Sequence, residues 1–217
     1  MMNKPVLAIE TSGELCSIGL FFSKEKYFLS QSYGKMSHSK ILLPAVESLL
    51  SLTKMKIEDV GSIAVSIGPG SFTGLRIGLA AAKGIAFGAS LPVVPVPSFE
   101  AIALQCIDYL PTDKPVAIAI KINHDEVYFN SFTINENSFN FAGEIKIIKK
   151  NELFAIFNDY YLVTDMKGPG LEKFNKLSQP SAYYVALWSN LYGEKYKLTD
   201  YDYLEPMYVK DFQVKRR

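Results

Sequence analysis

The stretch from Ser62 to Gly88, SIAVSIGPGSFTGLRIGLAAAKGIAFG, limits the possible folds more than any other segment of the chain. It begins as an apolar strand, Ile63 to Ile67, and turns through Gly68-Pro69-Gly70-Ser71-Phe72-Thr73. It continues as a helix in which only Arg76 and Lys83 carry charge before Gly88. A surface helix normally has one apolar stripe and one polar face. Here Leu75, Leu79, Ala82 and Ala86 make one line, and Gly74, Gly78, Ala81, Ile85 and Gly88 make a second. Ile77, Ala81, Gly84 and Gly88 nearly close the circle. Such a helix is either buried on all sides within one domain or partly buried against a second protein.

The helix expected over His38 to Thr53 has the same excess. Its apolar residues cover far more than one stripe; Ser37 or Ser39 can cap it, and Pro44 predicts a kink or a late start. Gly74, Gly78, Ala82 and Ala86 recur every four residues, a spacing that lets another helix approach closely.

Around these helices the chain shows one plan twice. Val6–Ile9, Leu15–Phe22 and Lys26–Tyr33 read as an antiparallel meander, followed by the first helix, the strand–turn–helix stretch, a strand at Pro92–Val96 and a helix from Phe99 to Tyr109 capped by Ser98. Leu110-Pro111-Thr112-Asp113-Lys114-Pro115 marks a boundary. Beyond it come strands at Val116–Ile122, Glu126–Ile134 and Glu144–Lys149, separated by a turn at Asn123-His124-Asp125 and a polar turn over Asn135–Asn140. A short helix (Asn151–Phe157), a strand (Tyr161–Thr164), a tight turn at Gly168-Pro169-Gly170 and a helix (Ser181–Tyr192) complete the second copy. The expected division is 1–110 and a smaller 111–217, with the tail at 201–217 free to return to the first part.

Bulk properties exclude several classes. The net charge of +1 gives no electrostatic reason to expect direct nucleic-acid or acidic-membrane binding. Cys16 and Cys106 lie far apart in apolar surroundings, as reduced thiols do in a reducing compartment. Glu10 interrupts the N-terminus before an apolar run reaches signal-peptide length, and no segment has the ~18 uncharged apolar residues of a membrane span. A cytoplasmic protein is expected. There are two histidines, His38 and His124, and no His-x-x-x-His or Cys-x-x-Cys pair, so neither a metal site nor a histidine-based catalytic site is expected.

The turns after the first strand and before the 74–88 helix could cradle a phosphate with backbone N–H groups, through Thr11, Ser12, Gly68, Gly70 and Ser71. The spacing fits neither common version. A Walker loop ends in Gly-Lys-Ser/Thr, whereas Leu75-Arg76 follow Gly74; the dinucleotide fingerprint needs glycine at Thr73. Gly-x-Ser-x-Gly is not met around Ser71 either. The alternative is a tight turn with Ser71 or Thr73 as N-cap. The basic end, Lys215-Arg216-Arg217, could add phosphate contacts to an RNA held mainly by other subunits.

Ile9-Glu10-Thr11-Ser12, His38-Ser39-x-x-Leu42-Leu43-Pro44 and above all Gly68-Pro69-Gly70-Ser71-Phe72-Thr73-Gly74-Leu75-Arg76-Ile77-Gly78 resemble the TsaB (YeaZ) family of bacterial tRNA threonylcarbamoyladenosine biosynthesis proteins. Pro97-Ser98-Phe99-Glu100-Ala101, Glu126-Val127-Tyr128 and Pro206-x-Tyr208-Val209-Lys210 fit as well. The resemblance is strong over the first hundred or so residues and thin beyond. It implies an α/β fold of two lobes, the actin, Hsc70 and sugar-kinase (ASKHA, ribonuclease H-like) architecture. It also implies a non-catalytic subunit without cofactor, partner of TsaD, the transferase that modifies adenosine 37 of ANN-reading tRNAs. TsaE is implied as a further partner, with tRNA met only through the complex. The helices at 38–53 and 73–88 are then the surface that bundles with TsaD or with a second copy, and the expected interface residues are Ile41, Leu42, Val46, Leu49, Leu75, Gly78, Leu79 and Ala82. Glu10 stands where most members have Asp, and Lys121-Ile122-Asn123-His124 where they have Asp-Ala-Arg-Arg. These departures argue against the alternative, an ATP-dependent phosphotransferase of the same superfamily.

Overall fold

The computed structural model describes residues 4–34, 38–168 and 171–209. The Ser37 cap, the Pro169-Gly170 part of the turn and the basic end at 210–217 lie outside them.

The first half forms a five-stranded sheet from β1 (Val6–Glu10), β2 (Leu15–Phe21), β3 (Tyr27–Tyr33), β4 (Ser62–Gly68) and β5 (Val93–Pro97), in the order β3-β2-β1-β4-β5. The meander pairs antiparallel, while β4 and β5 add in parallel. Parallel neighbours need crossover connections, and the helices supply them. α1 (His38–Thr53) joins β3 to β4, and α2 (Phe72–Ala89) joins β4 to β5. α1 runs through Pro44 unbroken. Ser39 lies inside α1.

The second half repeats the plan in shortened form. β6 (Val116–Lys121), β7 (Glu126–Asn135), β8 (Ser138–Phe141), β9 (Lys146–Lys149) and β10 (Tyr161–Thr164) are ordered β10-β6-β7-β8, with β9 also on β7. β10 lies parallel to β6 as β4 does to β1. The polar turn expected over Asn135–Asn140 is shorter than that, and β8 occupies its end. Glu136, at φ 52°, turns the chain, and Phe139 and Phe141 pack edge-on against Phe132. Where the first half has α1, the second has the seven-residue α4 (Lys150–Ile156), and where it has α2, a 3₁₀ segment, Glu172–Ser178.

One face of the first sheet (Leu7, Ile9, Ile18, Leu20) is covered by α1 and α2. The other face (Ala8, Phe21, Ala64) is covered by α5 (Ala182–Tyr192) with part of α3 (Ser98–Tyr109). α3 turns Phe99, Ile102 and Cys106 toward the second sheet, so it is shared by both lobes. The result is the two-lobed, actin-like α/β architecture, in which α5 comes from the second half of the sequence and packs on the first sheet. Trp188 on α5 donates to Glu100 of α3 at 2.6 Å. After α5 the chain stays with the first sheet: Leu198 exchanges two backbone bonds with Val93, Met207 N–H bonds the Ile67 carbonyl, and Tyr201 is buried in the α1–α2 core.

Candidate functional site

The five phosphate-cradle candidates lie at the carboxyl end of the first sheet, where four of them are tied into the fold by hydrogen bonds. Ser71 N–H donates to the Ser12 carbonyl at 2.7 Å, and Thr11 Oγ1 donates to the Gly74 carbonyl at 2.8 Å. Gly68 N–H donates to Ser98 Oγ at 3.1 Å, which is why Ser98 does not cap α3; Pro97 precedes that helix instead. Gly74 N–H donates to Ser71 Oγ at 3.2 Å, making Ser71 the N-cap of α2. Leu15 N–H is taken by Gln179 Oε1 at 2.7 Å, from 164 residues away. Gly68 has φ 111°, which requires glycine. The N–H groups of Ser12, Leu15, Gly68, Ser71 and Gly74 therefore all serve the fold.

Glu10 ends β1 beneath these turns. It is fully buried, and its carboxylate accepts from Ser12 N–H and the Ser66 hydroxyl. Burial raises its pKa, opposed by the hydrogen bonds from Ser12 and Ser66. A carboxyl so enclosed acts as an internal brace. In the second lobe, the turn at the matching place is closed by Asn123, whose Oδ1 accepts from Asp125 and Glu126 N–H at 2.8 and 2.9 Å. His124 is exposed beside Asp125 at 2.9 Å. His38 sits at the start of α1, and its Nε2 meets the Gly13 carbonyl at 2.8 Å, tying that helix to the first turn. Among the described residues no three His, Cys, Asp or Glu side chains cluster.

The α1–α2 surface requires a correction. Leu42, Val46, Leu49, Leu75, Gly78, Leu79 and Ala82 are all buried in their own lobe, and Ile41 is half-buried against the same core. The seven buried residues pack on the sheet within their own lobe, and Ile41 lies at the margin of that core. The small residues at Gly74 and Gly78 have the same origin: a methyl group there would overlap the Thr11 carbonyl or its hydroxyl. They let α2 lie close on its own first turn. The open face of α2 is rotated away from this line. It carries Ala80, Gly84, Phe87 and Gly88, flanked by half-buried Ile77, Ala81 and Ile85. Phe87 is 80% exposed, and a methyl group at Gly84 or Gly88 would meet nothing within 4 Å. On α1 the corresponding exposed residues are Leu43 and Leu52, at 50% and 69%. On α2, Phe87 thus stands exposed within a smooth Ala/Gly strip, while Leu43 and Leu52 project from opposite flanks of α1. The C-terminal segment frames the start of α2: Arg76 stacks on Phe72, its Nε donates to Tyr208 OH at 3.1 Å, and Lys83 holds the Asp202 carbonyl at 2.8 Å.

Sequence reasoning missed the residues that hold the turns from afar, namely Gln179, Ser98 and Ser66. Each lies on another element, and no local pattern announces it. Of the lines visible in the sequence, Ile77, Ala81, Gly84 and Gly88 is the one that runs along the open strip.

Comparison with known proteins gives a consistent result. The model of a family described as TsaD, tRNA N6-adenosine threonylcarbamoyltransferase, matches residues 32–187. The tRNA threonylcarbamoyladenosine biosynthesis protein TsaB of Haemophilus influenzae is 37% identical over 130 residues, 60% of this chain and 54% of that protein. The protein of the same name from Escherichia coli is 31% identical over 150 residues, 68% of this chain and 63% of that one. The chain thus spans between about half and two thirds of the length of the curated relatives it matches. The structure of YeaZ from Pseudomonas aeruginosa superposes with a TM-score of 0.76 at 22% identity, covering 95% of this chain and all of that one, a likeness of fold.

Proposed function

Because the chain belongs to the TsaD family of tRNA N6-adenosine threonylcarbamoyltransferases, and its relatives are named TsaB, we propose that it is a TsaB-type subunit: a cytoplasmic, non-catalytic partner that docks on TsaD and supports threonylcarbamoylation of tRNA adenosine. The observation that carries this reading is the open apolar face of α2, formed by Ala80, Gly84, Phe87 and Gly88. Small residues allow a partner helix to approach closely, and an exposed aromatic supplies the anchor typical of interface hot spots. The two proposed interface helices are matched in the second half only by the seven-residue α4 and a 3₁₀ segment, which supports a surface specific to the first. TsaE would join the resulting complex, tRNA would be met through it, and in the absence of TsaD a second copy could cover the same face.

The phosphotransferase reading draws less support, since the Ser12, Gly68, Ser71 and Gly74 N–H groups at these turns are bonded within the protein. The test is complementation with a biochemical readout. The gene is depleted in its host, and threonylcarbamoyladenosine in total tRNA is quantified by mass spectrometry, with tagged protein recovered alongside to detect TsaD. The reading expects loss of the nucleoside, its return with the wild-type gene, and TsaD in the recovered material. Unchanged nucleoside levels after depletion would refute it.

A further inference from the structure

The geometry points to the free edge of β3 as an acceptor for an extended, acidic segment of another protein, added as a sixth strand to the first sheet. β3 ends its sheet and pairs with β2 alone, in unbroken register from Leu15↔Tyr33 to Phe21↔Tyr27. Proteins guard exposed edges with charges, prolines, bulges or shortness. The seven residues of β3, YFLSQSY, contain no charge, proline or glycine, and the ladder has no bulge within it. The opposite edge is guarded: β5 carries Pro95 and Pro97, and Leu198 occupies Val93. β8, β9 and β10 have four residues each.

The Phe22 N–H bond to the Lys26 carbonyl sets the phase of the ladder. By alternation, Phe28, Ser30 and Ser32 bond toward β2, and the N–H and C=O groups of Leu29 and Gln31 point outward. Among the described residues the outward backbone groups of Leu29 and Gln31 have no partner.

A groove flanks each face of this edge, which is what strand addition needs, since alternate side chains of the added strand fall on opposite faces. On one face Tyr27, Leu29 and Gln31 border a groove of about 870 Å³ that Tyr183, Lys173 and Lys176 also line. On the other, Ser30 and Ser32 border a groove of about 250 Å³ with Ile41, Pro44, Ala45 and Lys40 of α1. None of the three lysines has an ion-pair partner among the described residues. Asp108, the one carboxylate lining the larger groove among the described residues, accepts from Tyr184 OH at 2.8 Å. The larger groove suits carboxylates and the smaller one suits β-branched side chains. A second copy is disfavoured as the occupant, because its β3 carries no carboxylate to meet the lysines.

The test uses ¹⁵N-labelled full chain and two capped peptides, Glu-Val-Glu-Val-Glu-Val-Glu and its lysine counterpart, Lys-Val-Lys-Val-Lys-Val-Lys, with amide hydrogen exchange read by NMR. The acidic peptide is expected to slow exchange at Leu29 and Gln31 and to bind roughly tenfold more tightly than the basic one. The double variant Lys173→Glu/Lys176→Glu should invert that order. Gln31→Pro, which removes an outward N–H that β2 does not use, should abolish protection with an unchanged circular dichroism spectrum. If Gln31→Pro unfolds the chain, the charge-reversed variant decides. No protection with either peptide, or equal binding of both, overturns the proposal. So does protection that appears without peptide and grows with protein concentration, which would assign the edge to a second copy.

Discussion

At the residue scale, Glu10 and the glycines of α2 separate what serves the fold from what is exposed. Glu10 is fully buried and its pKa is raised. A carboxyl that binds its proton more tightly when folded favours the native state most at low pH. That advantage is lost as pH rises from its ordinary value of 4.5 through the folded-state value. Glu10→Gln keeps the acceptor for Ser12 N–H and removes the titration. Urea unfolding at pH 5 and pH 8 should therefore show the wild type losing stability relative to the variant, at up to ~1.4 kcal/mol per pH unit within that window. A pH-independent difference would place the charge elsewhere. The glycines divide just as sharply. Gly78→Ala forces a methyl group against Thr11 and should cost ~1–3 kcal/mol, whereas Gly84→Ala meets open space and should gain ~0.5–1 kcal/mol from helix propensity. Thermal melts of the two variants should move in opposite directions.

At the element scale, the order of strands and helices was legible from local periodicity except for β8, whose start lay in the segment read as a polar turn, and the excess apolar surface of α1 and α2 was legible too. Which face was in excess was not. Periodicity gives two apolar lines on α2 of equal weight, and only Thr11, brought over from the first turn, decides that Gly74 and Gly78 face inward. The same limit applies to the turns. Their glycines suggested a phosphate cradle, but Gln179 and Ser98, distant in sequence, take up the N–H groups. Leu79→Glu, on the buried line, should place a charge in the core and unfold the lobe, a loss of several kcal/mol, ~3 or more. Circular dichroism at 25 °C would check it; a folded Leu79→Glu protein would mean that the lobe's core is wrongly described.

At the scale of the whole molecule, the two halves of the sequence do not map onto two independent bodies. α3 is shared, α5 packs on the first sheet, and the segment from Leu198 to Tyr208 closes over the core and frames α2. Tyr201→Ala should therefore destabilise the first lobe by ~2–4 kcal/mol although it lies far down the chain, as a shift in the urea midpoint would register. With the lobe so completed, the open face of α2 is the surface we propose for docking on TsaD. The direct measurement is calorimetric titration of TsaD with the wild type, Phe87→Glu and Gly84→Glu, each first shown to be folded. The account predicts a stable complex for the wild type and a loss of affinity of ~30-fold or more for each variant, as truncating or charging a hot spot of ~2 kcal/mol requires. Wild-type affinity retained by both folded variants would contradict it.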